Sequence, residues 1–215
     1  MMSAGKELAK AYYDGLKEAY CREGGQEVWD HFSSIVQGVS QADLDQLTAL
    51  YPDIPESLVE LLRLVDGTYF RVYGQEQVSL YALGSDVEEY PYYLLSARQM
   101  IETKDEFGEW ADYFITREYG DGIPVDEGVC DDLDKLCWLH FSDCANNGGT
   151  SQLFIDFSPS AKGKKGQVLR YLHDPDEMAI IADSFDEYLQ MLMENDYDFI
   201  NEDNAATDSI FPVSL

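Results

Sequence analysis

Positive charge is what this sequence has least of. Fourteen Lys and Arg stand against 42 Asp and Glu, a formal charge of −28 in 215 residues with a pI near 4.1. Binding phosphate requires clustered Lys and Arg, so nucleic acid and anionic membrane are poor partners. Histidine is scarce too: His31, His140 and His173 are the only three. A Ser-His or Cys-His catalytic pair would need a chance meeting in the fold, and neither a Gly-x-Ser-x-Gly elbow nor a His-Glu-x-x-His helix occurs. No stretch approaches the ~20 apolar residues of a membrane span. The start, MMSAGKE, lacks the apolar centre of a signal peptide, so the expected location is the cytoplasm. The four cysteines, Cys21, Cys130, Cys137 and Cys144, form no disulfide framework and are expected as reduced thiols.

What is present suits one globular domain. Hydrophobic residues make up 45% and aromatics 13%, mostly Tyr (15) and Phe (10), enough to offset the entropy of ordering. Self-repulsion at −28 keeps such a chain soluble and monomeric, or at most a weak dimer, and makes a basic protein its natural partner.

The first third has helical period. Leu8, Ala11, Tyr12, Leu16, Ala19 and Tyr20 form one stripe over 6–22, stopped by Gly24-Gly25. Val28, Trp29, Phe32, Ile35 and Val36 mark a second helix. Ser40 and Asp43 resemble a capping box ahead of Leu44 and Leu47. Pro55 opens a further helix, and Gly67 is expected as its left-handed stop. The period then shortens. Residues 68–73 and 77–83 read as a hairpin, 91–95 as a strand, 98–119 as mostly helix and 120–134 as an acidic loop. Three strands follow at 136–141, 151–157 and 166–173, joined by loops at 143–150 and 158–165, with a closing helix at 185–194. Residues 201–215 read as a tail, although Ile210, Phe211 and Val213 have the character to dock. Helices, a run of antiparallel strands and a last helix define an α+β domain, a mainly antiparallel sheet with helices packed on one side.

Local chemistry explains several short motifs without any reaction. Asp156 precedes Ser158-Pro159, where a carboxylate can accept turn amides. Gly163 and Gly166 frame a tight hairpin in which φ > 0 costs glycine little. Ser184 and Glu187 form a capping box before Phe185 and Tyr188. Cys130, Cys137, His140 and Cys144 lie close in sequence but lack zinc-knuckle spacing, so ordinary thiols and a surface histidine are expected, with no metal and no cofactor. The acids form three groups, around 126–134, 176–187 and 194–203. None follows the pattern of a calcium loop. A solvated face is the simplest reading of them, and a surface for a basic partner the next.

Three segments, in order, resemble the SUKH superfamily, which includes the yeast cell-wall-assembly regulator and many bacterial immunity proteins. They are YPDIPESLVELLRLVDG at 51–67; Trp138 to Phe141, then a glycine turn and Leu153 to Pro159; and Gly163 to Val168 followed by Ser184-Phe185 to Leu189. The resemblance spans about residues 26–195. It implies one SUKH-like domain over 1–200, with an N-terminal helical extension (1–25), an acidic insertion (about 108–135) and a C-terminal tail. Pro55, Gly67, Trp138, Phe141, Asp156, Pro159, Gly163, Gly166, Ser184 and Phe185 would be its structural motif residues. It also implies a non-enzymatic protein that neutralises a toxin, such as a basic nuclease, by stoichiometric binding. A regulatory scaffold is the alternative, and an enzyme the residual one. The expected contacts are Asp121, Asp126, Glu127, Asp131, Asp132 and Asp134 on an open sheet face, anchored by exposed Tyr90, Tyr92, Tyr93 and Tyr113.

Overall fold

A computed structural model describes residues 3–87, 90–104, 123–146, 149–173, 175–207 and 209–213. Among them run helices α1 (Ala4–Arg22), α2 (Gln26–Ile35), α3 (Gln41–Leu50) and α4 (Glu56–Leu64), and strands β1 (Arg71–Tyr73), β2 (Glu76–Val78) and β3 (Tyr93–Leu94). Helix α5 (Ala97–Glu102), β4 (Trp138–Asn146), β5 (Gly149–Asp156), β6 (Gln167–Leu172), β7 (Glu177–Ala182), α6 (Phe185–Glu194) and β8 (Ile210–Pro212) complete the order. The strands form an antiparallel five-stranded sheet, β3-β4-β5-β6-β7, and a three-stranded one, β1-β2-β8. This is the expected α+β architecture.

Helix ends follow from capping. Ser3, Ser40 and Ser184 each accept the amide three residues on, from Lys6 (3.4 Å), Asp43 (3.1 Å) and Glu187 (3.2 Å). Ser96 and Gln99 close a full capping box on α5. Pro55 holds the N-cap position of α4. Gly67 acts differently from expectation: α4 ends at Leu64 with Val65 extended, and Gly67, at φ 87, lies two residues beyond. A side chain there would meet the Ser96 amide at 2.5 Å, so this glycine lets two chain segments touch.

The main core lies between the helices and one face of the large sheet. Ala9, Tyr12, Leu16, Ala19 and Tyr20 are its α1 stripe, and Phe185, Tyr188, Leu189 and Leu192 its α6 stripe. Phe141 meets Phe185 edge-on, ring centroids 5.3 Å apart. Three buried tyrosines bring a polar end into the core and find a carbonyl there. Tyr12 donates to Ala82 O (2.8 Å), Tyr20 to Tyr81 O (2.8 Å) and Tyr188 to Gly84 O (2.6 Å). They thereby satisfy the irregular segment 81–84, which no ladder serves fully.

Four expectations are corrected. The stretch 143–150 is not a loop, since β4 runs on to Asn146 and β5 begins at Gly149, with Asp143 opposite Gln152. Strand β7, at 177–182, was not foreseen. Gly166 has φ 90, as the hairpin reading requires, but Gly163 has no positive φ; a side chain there would strike Gly128 O at 2.3 Å. The end of the chain docks: Val78 pairs with Ile210, and Val213 N donates to Gln75 O (2.9 Å). Of the expected helix at 98–119, α5 is seen and residues 105–119 lie outside the described residues.

Replacing Tyr12 by Phe keeps the ring and strands the buried carbonyl of Ala82. We expect a loss of about 1–2 kcal/mol, read as a lower urea midpoint at unchanged slope; Tyr13→Phe, half-buried on the same helix, serves as the control.

Candidate protein-binding surface

The acidic segment is built into the sheet. Val125 bridges Met178 in parallel; Asp126 N donates to Met178 O (3.0 Å) and Met178 N to Pro124 O (2.9 Å), extending the sheet at the β7 edge. A turn follows, in which Asp126 Oδ1 accepts Gly128 N (2.8 Å). Side chains spaced by four, four and three residues then point down: Val125, Val129, Leu133 and Leu136 pack on Trp138, Phe154, Leu169, Tyr171 and Met178. The outer sheet face is therefore not open as expected. This cover is why β6 is buried along its whole length, with no in-out alternation. The acids between these anchors turn outward: Asp126, Glu127, Asp131 and Asp134 are exposed and Asp132 is half-buried.

The motif residues clamp this segment from below. Asp156 is fully buried; its carboxylate accepts Ser158 N (2.8 Å) and Gln167 Nε2 (2.9 Å). Gln167 Nε2 also reaches Gly128 O (3.1 Å), as does Ser160 N (3.0 Å), while Ser160 Oγ donates to Glu127 O (2.6 Å). Pro159 lies against Gly163 at the point where Gly128 approaches. Each contact grips main chain, leaving the acidic side chains outside.

Some of those carboxylates are already paired. Lys162 meets Glu127, and Lys135 meets Asp132, whose pKa it lowers. Both pairs are exposed, and exposed pairs hold their ends weakly. Asp131 and Asp134 have no ion pair among the described residues.

The tyrosine anchors fare unevenly. Tyr92 is a correction: it is 0% exposed, in the core, because Leu83 bridges it and the chain closes over its ring. Tyr90 and Tyr93 are half-buried. Tyr113 and Asp121 lie outside the described residues. Tyr93 sits on β3 and Asp126 on the segment beyond β7, at opposite edges of the sheet, roughly 24 Å apart at about 4.8 Å per strand. Acids and tyrosines thus belong to two surfaces. Sequence reading missed the rings that Tyr93 gathers, Tyr69, Phe70 and Tyr81; their membership of the foreseen 68–83 hairpin was the available signal.

The Cys-His group disperses. Cys137 is exposed and Cys144 buried, its thiol pushed up to about 12 by desolvation. His140 is not on the surface: at 4% exposure it faces Thr103 Oγ1 (3.2 Å), Ser142 O (3.1 Å) and Asp143 Oδ1 (3.3 Å). Among the described residues no group of three or more His, Cys, Asp or Glu is placed to hold a metal ion, and no helix is long and apolar enough to cross a membrane.

The site is thus an antiparallel α+β scaffold whose buried polar residues fix backbone while the acids of 126–134 face solvent. The chain belongs to the SMI1 / KNR4 family (SUKH-1), whose model matches residues 38–191. Members are generally non-enzymatic immunity or regulator proteins that bind protein partners. No curated protein matches the chain.

Burial raises the pKa of Asp156, outweighing its hydrogen bonds, and raises that of Asp66 likewise. The folded state then binds these protons more tightly than the unfolded chain. Their stabilisation is full below the ordinary carboxylate value of about 4 and is lost as pH rises through the folded pKa. We expect melting temperature to rise as pH is lowered from 7 toward about 5, with a shallower slope in Asp156→Asn; equal slopes in thermal melts would place the proton elsewhere.

Proposed function

We propose that this chain neutralises a basic protein toxin, such as a nuclease, by forming a stoichiometric complex that covers the toxin's cationic surface. It acts by holding its partner and turns over no substrate. The observation that carries the reading is the excess of 42 acids over 14 bases, with exposed carboxylates of 126–134 displayed on a backbone clamped by the motif residues. A cation-binding surface held rigid loses little freedom on association, and its field steers a cationic partner inward. Family membership supports the binding role in general.

The decisive experiment is co-expression with a toxin candidate encoded beside this gene, followed by capture of the complex over a salt series. We expect restored growth, a 1:1 complex, and an association rate that falls at least tenfold between about 50 and 500 mM salt. Asp131→Asn with Asp134→Asn should slow association severalfold and leave dissociation nearly unchanged. Failure to protect removes the toxin reading. Association indifferent to salt removes its electrostatic part.

A further inference from the structure

The three-stranded sheet has a face that nothing covers among the described residues. Its inner rows hold Tyr73 and Val78, which are buried. In the outer row, Val72 pairs with Gln77 and Gln77 with Phe211; Val213 lies two residues along from Phe211, and Phe70 precedes β1, its carbonyl accepting Gln77 Nε2 (3.4 Å). Phe70 is 54% exposed, Phe211 47%, Val72 44% and Val213 41%. These are four of the five most exposed large hydrophobic side chains among the described residues, the fifth being Leu64 at 38%. Scattered single apolar residues mean little, but a contiguous cluster marks a contact surface.

Two independent features point the same way. Phe70 has φ 49, a left-handed conformation that a bulky residue adopts at a cost, and its ring is displayed to solvent. Its ring joins Tyr69 (5.0 Å), which meets Tyr93 (5.3 Å), which meets Tyr81 (4.7 Å). Behind these rings lies Asp143, in register with Tyr93 and 7% exposed, whose Oδ1 meets, among the described residues, only His140 Nε2, at 3.3 Å. Aromatic faces backed by a carboxylate attract a desolvated cation. Arg71, the base on the same strand, is committed elsewhere, to Asp66 (2.7 Å) and the Tyr73 ring (5.6 Å).

We propose that this aromatic face anchors an arginine-bearing, partly apolar surface of the partner protein. The inference rests on the protein-binding reading and names the anchor within it. Arginine fits because its flat guanidinium stacks on rings while its stem covers apolar surface. A second copy of this chain fits poorly, since two bodies of −28 would meet without cations to offer.

Phe70→Gly tests the anchor without threatening the fold, because glycine adopts φ > 0 freely. The probe is a fluorescent decapeptide of alternating Arg and Leu, with a Lys-Leu peptide for comparison, titrated by anisotropy. We expect Phe70→Gly and Val72→Ser each to weaken Arg-Leu binding at least tenfold, with Phe70→Gly melting no lower than wild type. Glu7→Gln with Glu18→Gln, an exposed pair on α1, should change affinity less than threefold, and the Lys-Leu peptide should bind more weakly. The inference is overturned if no peptide binds, if the Glu pair rather than Phe70 controls affinity, or if wild type self-associates through this face. Should Phe70→Gly still capture and neutralise the native partner undiminished, the anchor falls while the protein-binding reading stands.

Discussion

Three tyrosine hydroxyls hold the two halves of this molecule together. The segment 81–84 crosses the core as irregular chain, and in a dry interior each of its carbonyls needs a donor. Tyr12 and Tyr20 from α1 and Tyr188 from α6 supply three of the four, and Tyr92 N serves Leu83 O (2.8 Å). Burial raises the pKa of all three hydroxyls well above the ordinary value, favouring the protonated form that donates. The consequence is architectural. The family match begins at residue 38, yet α1 precedes it and furnishes two of the three hydroxyl donors. The N-terminal helix is a structural member of the core, and Tyr197 ties it again by donating to Tyr12 O (3.0 Å).

The legible parts of the fold were those with strong local rules. The α1 and α6 stripes follow the 3.6-residue period, and Ser40 and Ser184 announce helix starts through bonds made within one turn. Asp156 was legible for the same reason, its partner Ser158 being two residues away. What escaped depends on distant neighbours. Strand β7 carries Met178 and Ile180 on the outer face, an apolar signal that means little until Val125 and Val129 are known to cover it. Tyr92 and Tyr93 are adjacent, and alternation alone says that one points in and one out. Only the pairing of β3 with β4, with Leu94 in the core, decides which. The outer-face histidine follows the same logic: His140 stands opposite Phe154, and the lid over that row comes from elsewhere in the chain.

The carboxylates divide by depth. Asp66 and Asp156 are buried and act as connectors: Asp66 accepts Ala97 N (3.0 Å) and Arg71 Nη2 (2.7 Å), joining the end of α4 to β1 and α5. Both carry raised pKa values, the cost of desolvating a charge that its hydrogen bonds only partly offset. The outer acids perform no such joining. Asp126, Asp131 and Asp134 are exposed, and the pairs of Glu127 with Lys162 and Asp132 with Lys135 are surface contacts. An acidic chain tolerates its own repulsion by keeping most carboxylates in high dielectric and embedding few, Asp66 and Asp156 among them held by hydrogen bonds.

This division explains how one scaffold can present different faces. Gln167 and Ser160 hold the 126–129 turn through the carbonyls of Gly128 and Glu127, and Gly163 makes room for that approach. None of these contacts reads the identity of an outward side chain. Substitution at Asp131 or Asp134 therefore leaves the clamp intact, whereas a side chain at Gly163 would displace the loop and with it every residue it displays. Motif positions and the exposed acids are separated by the chemistry of the peptide group: backbone carries the structure, and the side chains between its anchor points are left free to vary.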